Sequence, residues 1–303
     1  MRHFLQLLDV SRDDLTRLLS EASRLKAAYA RREPITTLAN RVVPLIFEKP
    51  SLRTRVSFEA AVVQLGGSSM YLAGNDVGLG WRESLADIAR TMNHYVDAII
   101  LRVFKHETLT GLAAHATCPI INGLSDRAHP CQALADVLTI QETLGGIAGK
   151  RIAFIGDGNN VSRSLAVACG KLGASLVLAG PQGYGFDAPF LEQYRRLIGG
   201  SSLSETQDPI AAVKNADVIY TDVWTSMGQE SERDERLKRF TPYQVNKALL
   251  AKAPKHAVVL HCLPAHRGEE ITDEVVDGPQ SFVFQQAGNR LHVQKAVLEW
   301  LLG

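Results

Sequence analysis

Ala257-Val258-Val259-Leu260-His261-Cys262-Leu263-Pro264-Ala265-His266-Arg267-Gly268 reads as a buried strand that ends in chemistry. Four consecutive aliphatic residues without polar alternation mark a strand covered on both faces. Packing alone does not ask for a thiol, two imidazoles and a guanidinium directly after it. In open α/β sheets, the carboxyl ends of the strands are where ligands bind. The same grammar repeats outward from this segment. Ile152 to Ile155, Leu176 to Ala179 and Val218 to Tyr220 are short apolar runs separated by helix-length stretches, and Gly145-Gly146-Ile147-Ala148-Gly149-Lys150 interrupts the pattern with three glycines. Before that break, Ser11 caps a helix whose Leu15, Leu18, Leu19, Ala22 and Leu25 share a face. A strand over Val42 to Phe47 leads through Pro50 and Ser51 into a helix with Phe58, Ala61, Val62 and Leu65 on one side. A helix over 84–96, a strand at Ala98 to Leu101, the short unit Pro119-Ile120-Ile121 and a helix from Pro130 to Leu144 complete this half. A last helix from about Leu291 places Val293, Ala296, Val297, Trp300 and Leu301 on one stripe. The alternation predicts an α/β protein of two domains, 1–144 and 150–285, each a mostly parallel sheet flanked by helices.

A chain of 303 residues is more than one core comfortably fills. Its 33 Lys+Arg against 32 Asp+Glu leave a net charge of +1, so no single-sign field spans the molecule and extended nucleic acid is not an expected partner. No apolar run approaches the roughly 18 residues of a membrane span, and the first nine residues lack a signal-peptide pattern. Cys118, Cys131, Cys169 and Cys262 have no framework spacing, which fits reduced thiols and a cytoplasmic location. The charged run Glu230 to Arg239 reads as a solvated face.

Several segments carry candidate chemistry. In Phe47-Glu48-Lys49-Pro50-Ser51-Leu52-Arg53-Thr54-Arg55 a strand meets a helix N-terminus, where free N–H groups, the helix dipole and Arg53 suit a phosphate. Alternatively, Ser51 merely caps the helix and Arg55 pairs with Glu59. Arg102 ends a strand. His129 and Gln132 bracket Pro130 at a helix start, either facing one small ligand or forming a turn. Ile155-Gly156-Asp157-Gly158-Asn159-Asn160 invites a dinucleotide reading, but position 161 is Val and the acidic ribose ligand is missing. Asp222-Val223-Trp224-Thr225-Ser226-Met227-Gly228-Gln229-Glu230 sets a carboxylate after a strand, suited to a cationic amine. For Cys262, a zinc ligand, a nucleophile assisted by His266 or Asp222, and a structural thiol all remain open.

Taken in order, these motifs resemble the aspartate/ornithine carbamoyltransferase family over essentially the whole chain, from Ser51-Leu52-Arg53-Thr54-Arg55 to Asn289-Arg290. The Asp222 to Glu230 run resembles its ornithine branch. The resemblance implies a carbamoyl phosphate-binding first domain and an ornithine-binding second domain. Residues 286–303 would form a C-terminal helix packing back on the first domain. It further implies that Ser51, Leu52, Arg53, Thr54, Arg102, His129, Gln132, Leu263 and Arg290 hold carbamoyl phosphate, with Cys262 alongside. Asn160, Asp222, Ser226 and Met227 would hold L-ornithine, and Cys262, Arg102, His129 and Asp222 would be catalytic. No cofactor and no metal are implied, and a homotrimer with active sites near subunit interfaces is. Three positions depart from the family pattern: Leu52 in the phosphate loop, Gly78 in a loop where a Gln usually reaches a neighbouring subunit, and Gly288. Near Gly78, Trp81 or Arg82 would supply a different contact. A carbamoyltransferase for putrescine or an acylated ornithine is the nearest alternative, and a nucleotide-dependent oxidoreductase the remote one.

Overall fold

The computed structural model describes residues 2–200, 202–226 and 228–303. The chain divides into two compact units, one made of the residues up to Leu138 together with Gly288–Gly303, the other Thr139–Ala287.

In the first unit α1 (Arg12–Ala30), β1 (Val42–Phe47), α2 (Leu52–Gln64), β2 (Ser68–Ala73), a single helical turn α3 (Gly74–Val77), α4 (Leu85–Met92), β3 (Ile99–Arg102), α5 (His106–Ala113) and β4 (Ile120–Leu124) lead into α6 (Pro130–Leu144). Ser11, Ser51 and Ser84 each accept the N–H of the residue three positions on, so three helices start where a serine cap allows it. The four strands are parallel in the order β2-β1-β3-β4. Ile46, Ile99, Leu101, Val103, Leu109, Leu112 and Ile120 are buried together beside them, each such side chain contributing on the order of 1.5–3 kcal/mol. Edge strand β2 escapes the sequence reading because Ser68-Ser69 opens it with two polar residues and no residue of Ser68–Ala73 is fully buried.

The second unit continues with β5 (Arg151–Ile155), α7 (Asn160–Leu172), β6 (Ser175–Ala179), α8 (Ala188–Leu197), β7 (Leu203–Thr206), α9 (Pro209–Val213), β8 (Val218–Thr221), α10 (Arg233–Phe240), α11 (Lys247–Leu250), β9 (Val258–His261) and α12 (Asp273–Val276). Its five strands are also parallel, in the order β7-β6-β5-β8-β9. Two parallel sheets flanked by helices are what the alternation predicts.

The last helix, α13 (Val283–Leu302), begins eight residues earlier than its periodicity implies. Buried Gln286 and exposed Phe284 hide the period in its first turns. Its later residues belong to the first unit, as the resemblance implies: Lys26 Nζ donates to Asn289 Oδ1 at 2.7 Å, and the Phe4 and Trp300 rings meet edge to face at 6.2 Å.

In each sheet the connections leave in opposite directions on either side of one strand pair. That switch point lies between β1 and β3 in the first unit and between β5 and β8 in the second. A parallel sheet opens a crevice at such a point, at the carboxyl ends of the strands. The segments beginning at Glu48, Val103, Gly156 and Asp222 leave those ends.

Candidate functional site

In the first unit, the register sets Phe47 beside Arg102, so the Ser51 loop and the Arg102 side chain issue from neighbouring strand ends. Ser51 Oγ accepts the Thr54 N–H at 3.3 Å and donates to Thr54 Oγ1 at 3.1 Å. The side chain of Leu52 is 77% exposed, so any ligand contact there belongs to its backbone. The departure from the family pattern at this place therefore removes no buried group.

Arg290 ties the rest together. Its guanidinium donates to Thr54 Oγ1 at 2.8 Å and to Gln132 Oε1, and its Nη1 lies 3.4 Å from His129 Nε2. Because guanidinium only donates, that contact makes Nε2 the acceptor and assigns the ring proton to Nδ1. Gln132 Nε2 donates to Asp136 Oδ1 at 2.8 Å, which fixes the amide orientation. Its Oε1 keeps a second lone pair for a ligand N–H. Burial, and then the charges of Arg290 and Arg102, hold His129 well below its ordinary range, so the ring is neutral at pH 7. Arg102, His129, Gln132, Thr54 and Arg290 are all buried. A set of cations and neutral donors converging this way has the chemistry to take a phosphorylated carbonyl compound: charge for the phosphate, polar donors for the carbonyl.

Arg55 follows the structural alternative. It pairs with Glu59 at 3.3 Å and lies over the Tyr71 ring at 3.9 Å. Cys131 is a core thiol, pushed up to about 12 by burial, and Cys118 and Cys169 are buried as well. Gly78 has φ +68°, and a Cβ there would lie 2.5 Å from Arg82 Cβ, so this backbone excludes a glutamine at position 78. Gly288 has open space around it.

In the second unit, Asp222 follows β8 and is the hub. Oδ1 accepts from the Cys262 thiol at 2.9 Å and from the Val223 N–H at 2.8 Å, while Oδ2 accepts from Asn159 Nδ2 at 2.9 Å. Asn159 also caps α7 through the N–H groups of Val161 and Ser162. The Gly-Asp-Gly-Asn-Asn segment thus becomes an anchor for Asp222 instead of a dinucleotide loop. Asn160 opens α7, and the Ser226 N–H is taken by Gln229 Oε1 at 3.1 Å. Met227, expected to contact ornithine, lies outside the described residues.

The two imidazoles near Cys262 have other partners. His261 Nε2 faces Glu270 Oε1 at 3.0 Å, and its Nδ1 accepts the Leu263 N–H at 2.8 Å. His266 is largely solvent-facing and lies 3.5 Å from Glu269. Donor atoms of Asp222, His261 and Cys262 fall within 4.8 Å of one another, but both His261 nitrogens are already engaged. The arrangement is a hydrogen-bond chain ending on a carboxylate, fitted to receive an amine. Leu263 has φ +57°, and the following peptide to Pro264 is cis.

Two residues that the sequence reading passed over matter here. Arg236, within the run taken for a solvated face, is buried, and it donates to Asp157 at 2.8 Å, to Glu232 at 2.8 Å and to the Trp224 carbonyl at 3.0 Å. The expectation of a solvated face is therefore wrong at this position, although most of its neighbours are exposed. Burial pushes Asp157 up to about 6, against the pull of Arg236. In the sequence Asn159 stands only within the segment that invites a dinucleotide reading. The signal that finds it is a cap residue, Asn, directly before a helix N-terminus.

Comparison with known proteins follows the same division. Residues 2–142 match the model for the aspartate/ornithine carbamoyltransferase carbamoyl-P binding domain, and residues 148–301 match the Asp/Orn binding domain of that family. A relative from Bacillus subtilis named ornithine carbamoyltransferase is 52% identical over 303 residues, covering 99% of this chain and 94% of its own. The solved structure of ornithine carbamoyltransferase from Pyrococcus furiosus superposes with a TM-score of 0.96 at 49% identity, covering 100% of this chain and 97% of that one. The ornithine carbamoyltransferase structure from Thermus thermophilus gives 0.89 at 45% identity, with 99% and 98% covered.

Proposed function

Because the chain belongs to the aspartate/ornithine carbamoyltransferase family, we propose that it transfers the carbamoyl group of carbamoyl phosphate to the δ-amine of L-ornithine, giving L-citrulline and phosphate. The observation that carries the ornithine reading is the buried Asp222 carboxylate with Cys262 2.9 Å from it. Such a carboxylate attracts the side-chain amine of a substrate and repels a side-chain carboxylate, so it favours ornithine over aspartate.

In the proposed reaction Ser51, the Leu52 backbone, Arg53 and Thr54 hold the phosphate. Arg102 bridges phosphate and carbonyl, and Gln132 with the Leu263 carbonyl takes the carbamoyl NH2. Asn160, Ser226 and Met227 take the α-carboxylate and α-amine of ornithine with Asp222. The δ-amine resembles a lysine, with an ordinary pKa of roughly 10.4, and attacks only when neutral. Desolvation favours that form, and Cys262 with Asp222 orients it. As the tetrahedral intermediate forms, negative charge grows on the carbonyl oxygen near Thr54, Arg102 and the neutral His129, and preorganised donors stabilise it. The C–O bond to phosphate then breaks as the proton of the attacking nitrogen passes to the leaving phosphate oxygen, and the hydrogen phosphate dianion stays with Arg53 and Arg290.

Assembly as a homotrimer, with active sites near subunit interfaces, is part of this reading. Leu52, Val56 and Val63 form one exposed apolar stripe on α2, of the kind that marks an interface. Sedimentation should give about three times the chain mass. No helix among the described residues is long and apolar enough to cross a membrane, and a cytoplasmic location rests on the reduced thiols. The decisive experiment incubates the protein with carbamoyl phosphate and, separately, L-ornithine, L-aspartate, N-acetylornithine or putrescine. Citrulline should form with kcat/KM at least about a hundredfold above any other product. Faster carbamoylation of another amine would overturn the reading.

A further inference from the structure

Lys49 has no role in the reaction just described, yet it stands two residues before Ser51. It is 8% exposed, and its Nζ lies 4.9 Å from the centroid of the Phe104 ring. The two carboxylates that attract it are engaged elsewhere. Asp126 pairs with Lys105 at 3.6 Å and accepts the His106 N–H at 2.8 Å, while Glu48 accepts the Phe104 N–H at 2.7 Å. Arg102, from the neighbouring strand, repels it. Lys49, Arg53, Arg102 and Arg290 all act electrostatically on His129, so four cations and a neutral imidazole share one locality. Like charges gathered in a buried place are costly until an anion joins them.

We propose that the Lys49 ammonium is an additional positioning group for the phosphoryl dianion, and that anion binding is coupled to full protonation of Lys49. This rests on the phosphate-site reading above. Burial, and then Arg102, bring Lys49 down from 10.5 to about 8. A dianion beside it reverses that shift. Below pH 8 the lysine already carries its proton and binding is insensitive to it. Above pH 8 binding must take up a proton, so affinity falls by up to about tenfold per pH unit until the bound-state pKa is reached.

The test uses phosphonoacetamide, a carbamoyl phosphate analogue with carbon in place of the bridging oxygen, titrated calorimetrically in buffers of different ionisation enthalpy. Above pH 8 the phosphonate is itself dianionic and contributes no proton change. The parent protein should take up nearly one proton at about pH 9. Lys49→Arg, always charged, should bind without uptake and with a flat pH profile. Lys49→Met should bind about tenfold or more weakly at neutral pH, also without uptake. Proton uptake that is absent from the parent, or that persists in Lys49→Arg, overturns the proposal. If Lys49→Met does not fold, Lys49→Arg decides alone. Ornithine is not needed for this measurement. A protein that shows the uptake but makes no citrulline would refute the proposed reaction and leave Lys49 in place, whereas citrulline formation without uptake refutes only the role of Lys49.

Discussion

Replacing Arg290 by Met removes a guanidinium at the centre of the phosphate half and leaves a side chain of comparable length. Two hydrogen bonds from a charged donor vanish, those to Thr54 Oγ1 at 2.8 Å and to Gln132 Oε1. Hydrogen bonds to charged groups are worth about 1.5–3 kcal/mol each. Thr54 Oγ1 keeps the Ser51 hydroxyl, so the lower half of that range applies to it, whereas Asp136 is bonded to the Gln132 Nε2 and leaves the buried Oε1 without a partner, so the upper half applies there. The sum is about 4–5 kcal/mol, a loss on the order of a thousandfold in kcat/KM for carbamoyl phosphate. A second readout follows from His129. Burial is the larger cause of its lowered proton affinity and Arg290 the next, so removing Arg290 raises that affinity part of the way back. The ring must be neutral to work as proposed, so the acid limb of the rate profile should move to higher pH. Initial rates of citrulline formation from pH 5 to 9, with carbamoyl phosphate varied at saturating ornithine, measure both. Arg290→Lys should separate them, since one ammonium retains the charge near His129 but not the fork of donors. An Arg290→Met protein that melts like the parent, with kcat/KM within about threefold and an unmoved acid limb, would refute the reasoning.

Arg53→Ala should lower kcat/KM by about 2–3 kcal/mol, on the order of a hundredfold, whereas Arg55→Ala should alter chiefly stability, and by no more than about 1 kcal/mol for a half-exposed pair; near-normal turnover of Arg53→Ala is the contrary result. Cys262→Ser should keep measurable activity with weaker ornithine binding, and no phosphate should be released before ornithine is added, since a burst would make Cys262 a covalent nucleophile. Arg236→Met should destabilise by about 3–4 kcal/mol in urea unfolding at neutral pH, because a buried ion pair loses one partner. Asp157 then loses the group that opposed its upward shift; a carboxylate held above its unfolded value stabilises at low pH and ceases to as pH rises through its folded value. The deficit of Arg236→Met should therefore be larger at pH 8 than at pH 5, and equal deficits would contradict the assignment.

The α/β class was legible because burial on both faces forces strands such as Val258–His261 into unbroken apolar runs, and Ser11, Ser51 and Asn159 announce helix starts through local hydrogen bonds that any isolated segment would also seek. The family pattern likewise lies in linear order along the chain, so Ser51 to Arg55, His129, Asp222 and Cys262 could be named before any contact was known. Edge strand β2 and the first turns of α13 were not legible, since one is half exposed and the other alternates buried Gln286 with exposed Phe284. Nor could spacing tell which base or acid meets Cys262. The thiol touches Asp222, forty residues away in sequence, while His261 and His266 beside it turn to Glu270 and Glu269. Arg236 and Lys49 look like ordinary surface charges in their own segments. Each stands in a buried charge cluster because folding withdrew it from water and set another charge beside it. Charge interactions strengthen with desolvation and proximity, and a one-dimensional pattern records neither.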